Sequence, residues 1–270
     1  MEKIRIIGIQ LGSEIGEKEK NYKKVLKLID ENFIQGTDIL ILPEVWNIGW
    51  ECSIFKEQAE HIRDSKTVKF LSEVASNYRV NILGGSLPLI KENGEIFNTC
   101  PVLNRYGELI CTYDKNHLFS YYGCGEGSYV SNGKNPVLVN IEGIKIGLTI
   151  CYDIRFPEIY RSYRKAGADI LVNMAAWPFS RSIHWDTLTR ARAIENQCYM
   201  VALTQTGILK DGSRNYGHSA IYDYSGNLLN EITEREGAVF AEIDFSEMYN
   251  FREKCKIVDD IHEKYEVVTK

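Results

Sequence analysis

Short runs of β-branched and apolar residues alternate with amphipathic stretches through the first part of this chain, and that alternation restricts the fold more than any other feature. The runs are Ile4–Gln10, Asp38–Pro43 and Arg79–Ser86. Between the first two, Tyr22, Val25, Leu26, Ile29 and Phe33 recur at helical spacing, with Lys and Glu filling the other face. Between the second and third, Val68, Leu71, Ala75 and Tyr78 do the same. A helix with one apolar stripe must lay it on another element, and strand–helix–strand repeats of this length are the units of a largely parallel sheet. These stripes therefore predict core, not binding surface.

After Ser86 the pattern changes to strands in succession. Ile96–Leu103 and Leu109–Tyr113 flank Asn104-Arg105-Tyr106-Gly107-Glu108, and Pro136–Ile141 and Ile144–Ile150 flank Glu142-Gly143, so both joins predict hairpins. The alternation then returns: a helix near 157–166, a strand at Asp169–Ala175, a helix near 184–197 and a strand at Tyr199–Gln205. A third hairpin is expected from Gly217–Asp223 and Leu228–Thr233 around Tyr224-Ser225-Gly226-Asn227, followed by the strand Ala238–Ile243. The expectation is a layered α/β fold with mixed sheets. No Pro/Gly/Ser-rich linker divides the chain, which reads as one domain. Beyond Cys255, Ile257, Val258, Ile261 and Tyr265 are too apolar for a free end but only loosely periodic. Such a tail is expected to pack on another subunit.

Composition narrows the chemistry. Thirty-two basic against 37 acidic residues, with no long block of either sign, favours neither nucleic acid nor an anionic membrane as partner. No stretch approaches the ~18 uninterrupted apolar residues of a membrane helix, and the N-terminus enters a strand pattern at once, so a cytoplasmic location is the expectation. Seven cysteines, an odd number without a CxxC pair or a Cys/His cluster at zinc spacing, predict reduced thiols and no structural metal.

Three strand ends carry reactive side chains. Glu44 emerges directly after the strand stopped by Pro43, Lys115 in the same manner after the strand Leu109–Tyr113, and Cys151 after Ile144–Ile150, where Pro157 suits the first turn of the next helix. Such ends face the ligand crevice of an α/β protein, and amides near a helix N-terminus stabilise thiolates and oxyanions. Taken singly, each residue has a plainer reading: a small core thiol, a solvated turn glutamate, a surface lysine. His117 could instead be the base of a Cys/His pair, and Cys151 could be a redox thiol.

Together, Leu-Pro-Glu44, Tyr-Asp-Lys115-x-His-Leu-Phe and Ile-Cys151-Tyr-Asp-x-Arg-Phe-Pro-Glu158 closely resemble, in that order, the three motifs of the nitrilase (carbon–nitrogen hydrolase) superfamily. The resemblance runs from the first strand to about residue 252, leaving 253–270 as a C-terminal tail, and Asn173–Pro178, His184-Trp185, the run 190–196 and Gly217-His218-Ser219 fit it too. It implies a four-layer αββα sandwich with two mixed β-sheets, and a Glu44–Lys115–Cys151 triad without cofactor or metal. Cys151 would attack an amide carbonyl to form a thioester and Glu44 would move the proton. Lys115 and the backbone amide of Tyr152 would hold the oxyanion. Glu126 matches a second glutamate of the family, although Tyr121-Tyr122-Gly123-Cys124-Gly125 before it departs from the family pattern. The resemblance also implies a homodimer packed through the helix after Cys151 and the helix near 184–197.

The Cys-Tyr-Asp-x-Arg-Phe form is similar to the amidase branches, and Ala-Ala-Trp-Pro-Phe-Ser-Arg181 before His184-Trp185 looks like the ω-amidases, which hydrolyse the terminal amide of 2-oxo dicarboxylic monoamides. A carboxylate-bearing substrate of that kind needs a cationic partner. Arg155 and Arg181 are the candidates, with Tyr152 and Trp177 as walls for its aliphatic part. Arg155 could equally brace the turn by pairing with Asp153 or Glu158. The alternatives within the superfamily are a deaminated-glutathione-type amide and an N-carbamoyl amine.

Overall fold

The computed structural model describes residues 3–209, 211–262 and 266–269. Its first half runs β1 (Lys3–Gln10), α1 (Lys18–Asn32), β2 (Ile39–Ile41), α2 (Phe55–Gln58), β3 (Glu60–His61), α3 (Lys66–Tyr78), β4 (Asn81–Leu83), β5 (Leu87–Ile90), β6 (Ile96–Leu103) and β7 (Leu109–Asp114). The second half runs β8 (Leu138–Ile141), β9 (Ile144–Ile150), α4 (Pro157–Lys165), β10 (Ile170–Ala175), α5 (Ser182–Asn196), β11 (Tyr199–Thr204), β12 (Ala220–Tyr222), β13 (Gly237–Asp244) and α6 (Phe245–Lys254).

The strands build two mixed sheets. One is ordered β13-β1-β2-β4-β6-β5-β3 with β7 on β6, the other β12-β11-β10-β9-β8. β1, β2 and β4 pair in parallel, as do β9, β10 and β11, and the hairpins add antiparallel edges. Strand periodicity sorts the core. Ile4, Ile6, Ile39 and Ile41 face the second sheet, while Ile7, Ile9 and Leu40 face Val25 and Ile29 of α1 and Leu71 and Ala75 of α3. On the second sheet Gly147 leaves room for Tyr163 of α4, whose ring would lie 2.7 Å from a Cβ there. The result is the four-layer αββα sandwich. β13 returns to pair with β1 along its whole length, from Lys3 opposite Asp244 to Gln10 opposite Gly237, and stitches the chain's end to its beginning.

Some expectations shift. β4 is shorter than Arg79–Ser86, because Arg79 closes α3 in the left-handed region at φ 55° and Gly84-Gly85 leave the strand. The third hairpin lacks its second strand. The Asn230 side chain accepts from Ile221 N (2.6 Å) and donates to Ser219 O (3.1 Å), beside a Tyr222–Leu228 bridge and a backbone bond from Leu229 N to Ile221 O (2.8 Å), so the expected ladder is reduced to a bridge. β5 was hidden in sequence by Pro88, and α6 followed β13 unannounced; α6 ends at Lys254, so the boundary after residue 252 falls inside its last turn. Of the tail's apolar residues, Ile257, Val258 and Ile261 are half-buried, and Tyr265 lies outside the described residues. Among the described residues no helix is long and apolar enough to cross a membrane.

Candidate active site

Glu44 owes its place to a close backbone approach. Leu42 N still donates to Leu83 O (3.0 Å), after which Gly85, at φ 68°, lets its backbone lie against Pro43; a Cβ there would meet the Pro43 carbonyl oxygen at 2.1 Å. Ser86 Oγ accepts from Val45 N (3.1 Å), and Gln205 Nε2 donates to Glu44 O (2.6 Å). Lys115 follows β7 and donates its N–H to Asn98 O on β6 (2.9 Å). Cys151 ends β9 at φ 46°, a strained left-handed value for a residue with a side chain. It opens a 3₁₀ turn, Cys151–Arg155, before Pro157 starts α4. Tyr152, in the first turn of that short helix, carries one of the amides that have no intrahelical acceptor.

These strand ends converge. Lys115 Nζ lies 2.8 Å from Glu44 Oε1 and 3.0 and 2.9 Å from the two oxygens of Glu126. All three side chains are 0% exposed, and Cys151 is 7% exposed. Ala176 N donates to Glu44 Oε2 (2.9 Å) and Phe119 N to Glu126 Oε2 (2.7 Å), while the Trp50 ring covers the ammonium with its centroid 5.0 Å from Nζ. Sequence reading missed Asn98. Its Nδ2 bridges Glu44 Oε1 (3.0 Å) and Glu126 Oε1 (3.1 Å), but an asparagine in the middle of a strand carries no mark of that role.

The buried cluster sets two carboxyl groups and one lysine beside the Cys151 thiol. Burial, followed by the charge of Glu44, pushes the Cys151 thiol well above its ordinary range against the pull of Lys115. The shift favours the protonated thiol, and Glu44 is the neighbouring base. Burial likewise raises Glu44, moving it towards the pKa of an effective proton acceptor, although Lys115 opposes the shift. Burial disfavours the charge on Lys115, but Glu126 and then Glu44 outweigh it and hold its pKa well above the lysine value.

Asp153 welds the strand ends together. Its carboxylate accepts from Ile150 N (2.9 Å), Tyr113 OH (2.6 Å) and His117 N (2.9 Å), with His117 Nδ1 2.7 Å away. His117 stacks on Phe156 with centroids 3.6 Å apart, so it is tied to Asp153 and is not the base for Cys151. Arg155 does not brace the turn either. Its Nη2 lies 3.0 Å from His184 Nδ1, and its guanidinium sits 5.3 Å from the Trp177 ring centroid and 5.8 Å from that of Tyr152.

Cys151 opens onto a cavity of about 820 Å³ whose wall includes Tyr152, Arg155, Trp177 and Arg181. Arg181 lies over the rings of Phe119 (5.1 Å) and Tyr122 (4.6 Å). Among the described residues neither arginine has a carboxylate within salt-bridge distance, whereas the wall's acidic residues Glu51 and Asp211 are engaged by Ser53 and Ser213 of their own turns. Among the described residues no group of three or more His, Cys, Asp or Glu is placed to hold a metal ion.

A two-sheet sandwich with a buried Glu–Lys–Cys cluster at converging strand ends matches the arrangement expected of a carbon–nitrogen hydrolase. The profile described as "Carbon-nitrogen hydrolase" matches residues 5–253, and the chain belongs to that family. It is 36% identical over 254 residues to "2-oxoglutaramate amidase" of Bacillus subtilis (strain 168), covering 94% of this chain and 95% of that protein. It is 33% identical over 267 residues to "Omega-amidase NIT2" of Danio rerio, covering 95% and 94%. The crystal structure of Saccharomyces cerevisiae Nit3, described as a member of branch 10 of the nitrilase superfamily, superposes with a TM-score of 0.85 at 28% identity and covers 94% of each chain.

Proposed function

We propose that the chain hydrolyses the terminal amide of a small carboxylate-bearing substrate, of the 2-oxoglutaramate or 2-oxosuccinamate type, to the 2-oxo dicarboxylic acid and ammonia. The observation that carries this reading is a buried thiol and base at the floor of a cavity whose wall holds two arginines without a carboxylate partner among the described residues. The names borne by the amidases of Bacillus subtilis and Danio rerio support the same substrate class.

In this mechanism Glu44 takes the Cys151 proton as sulfur attacks the amide carbon. Lys115 and the Tyr152 amide stabilise the oxyanion, where loss of one donor costs about 2.7–4 kcal/mol. Glu44 returns the proton to the departing ammonia, leaving a thioester, and then activates the water that releases the acid. Glu126 and Asn98 hold Lys115 and Glu44 in register for both half-reactions. Arg155 and Arg181 receive the substrate carboxylate, with Trp177 and Tyr152 beside its aliphatic chain.

A substrate panel tests the reading. 2-Oxoglutaramate should be hydrolysed faster than deaminated glutathione, N-carbamoylputrescine or a simple nitrile, and intact mass should reveal the acyl–Cys151 adduct. Cys151→Ala should release no ammonia while remaining folded, and Arg155→Ala and Arg181→Ala should raise KM for the anionic amide. Ammonia release by Cys151→Ala would sink the mechanism, and preference for N-carbamoylputrescine would replace the substrate.

A further inference from the structure

Two cysteines outside the reacting cluster meet at the cavity wall. Cys52 Sγ and Cys124 Sγ, from positions 72 residues apart, lie 3.2 Å from each other, and both are free thiols. Both line the cavity onto which Cys151 opens, Cys52 buried and Cys124 half-buried. Each is two residues from the reacting cluster. Trp50, before Cys52, covers the Lys115 ammonium, and Glu126, after Cys124, holds it.

We propose that Cys52 and Cys124 are a redox modification site, closing to a reversible disulfide when hydrogen peroxide enters the cavity and slowing catalysis behind it. A disulfide spans about 2.05 Å, so closure needs a movement of about 1.2 Å. The Cys124 side can supply it: Tyr122 is 86% exposed, and Gly123, at φ 82°, has no atom within 4 Å of where a Cβ would lie.

The Cys124 sulfur attacks one peroxide oxygen and the O–O bond breaks; hydroxide leaves, takes the thiol proton and departs as water. The resulting Cys124 sulfenic acid is attacked by the Cys52 sulfur, and its hydroxyl leaves with the Cys52 proton as a second water. Two thiols are oxidised by two electrons, and one peroxide is reduced to two waters. The Cys52 thiol, hydrogen-bonded to Cys124, also pulls the Cys124 thiol below its ordinary value, which suits Cys124 as the first attacker.

Hydrogen peroxide applied to full-length Cys151→Ala protein isolates this chemistry from the catalytic thiol. The expected result is loss of the mass of two hydrogens and a peptide linking Cys52 to Cys124, both reversed by dithiothreitol and absent in Cys52→Ser and Cys124→Ser versions. A second arm rests on the hydrolase reading. The native enzyme, brought to the same linked state, should lose roughly ten- to hundredfold in kcat, as a ~1 Å displacement beside reacting groups can cause, and recover on reduction. Peroxide that oxidises only other cysteines, or a linked enzyme with unchanged kcat, would overturn the proposal. The mass arm stands or falls without reference to which amide is cleaved.

Discussion

Asn98 shows how much one uncharged side chain can govern in this site. It donates to Glu44 and Glu126 from a single amide nitrogen, so it favours the ionised form of Glu44 and fixes the separation of the two side chains around Lys115. Asn98→Leu should therefore lower kcat by roughly ten- to a hundredfold, the loss expected for a buried hydrogen bond to charge of about 1.5–3 kcal/mol. Losing a donor to the carboxylate raises its pKa further, so the acid limb of the kcat/KM profile should move to higher pH. A merely structural loss would lower activity without moving that limb, and Asn98→Asp, which puts a third carboxylate against the pair, should be worse than Asn98→Leu. At this scale Glu44, Lys115 and Cys151 stood out because Lys115 and Cys151 directly follow a strand and Glu44 comes three residues after one. Asn98 and Asp153 were not, since their partners lie 54 and 28, and 40 and 36, positions away and only folding brings them together.

The elements position the site by letting backbones approach more closely than side chains allow. Gly85 is the sharpest instance, because its left-handed φ and its contact with Pro43 set the path of the segment that presents Glu44. Gly85→Ala should cost about 1–2 kcal/mol for the left-handed backbone alone. The Cβ that meets a carbonyl oxygen adds to this by pushing Leu42–Trp46 away. A lowered thermal midpoint together with reduced kcat is the expected outcome of calorimetry and assay; a stable variant with native kcat would show that the approach is not what holds Glu44. Periodicity marked α1, α3, α4 and α5 well, because each lays one stripe on a sheet. It missed β5, where Pro88 masks a strand, and it overextended the third hairpin, where the Asn230 side chain takes Ile221 N and pairing is reduced to a Tyr222–Leu228 bridge.

At the scale of the molecule, we propose a homodimer, with 253–270 contributing to its interface and the family domain ending near residue 252. Ile183 (76% exposed) and Ile194 (48%) on α5, and Val267 (93%) and Val268 (75%) in the tail, are the apolar surface that supports it. Light scattering should report twice the chain mass of 30.9 kDa, and a particle of single-chain mass would remove the proposal. By itself, the sequence determined the alternating α/β rhythm, the order of the strand-end motifs and so the family and its candidate reacting groups, because these depend on local periodicity and on residues next to one another. Only the tertiary structure decided that burial pushes the Cys151 thiol upward, that His117 serves Asp153, that Arg155 faces the cavity and that Cys52 meets Cys124. Burial and net charge are properties of what packs around a group, and those neighbours arrive from distant parts of the chain.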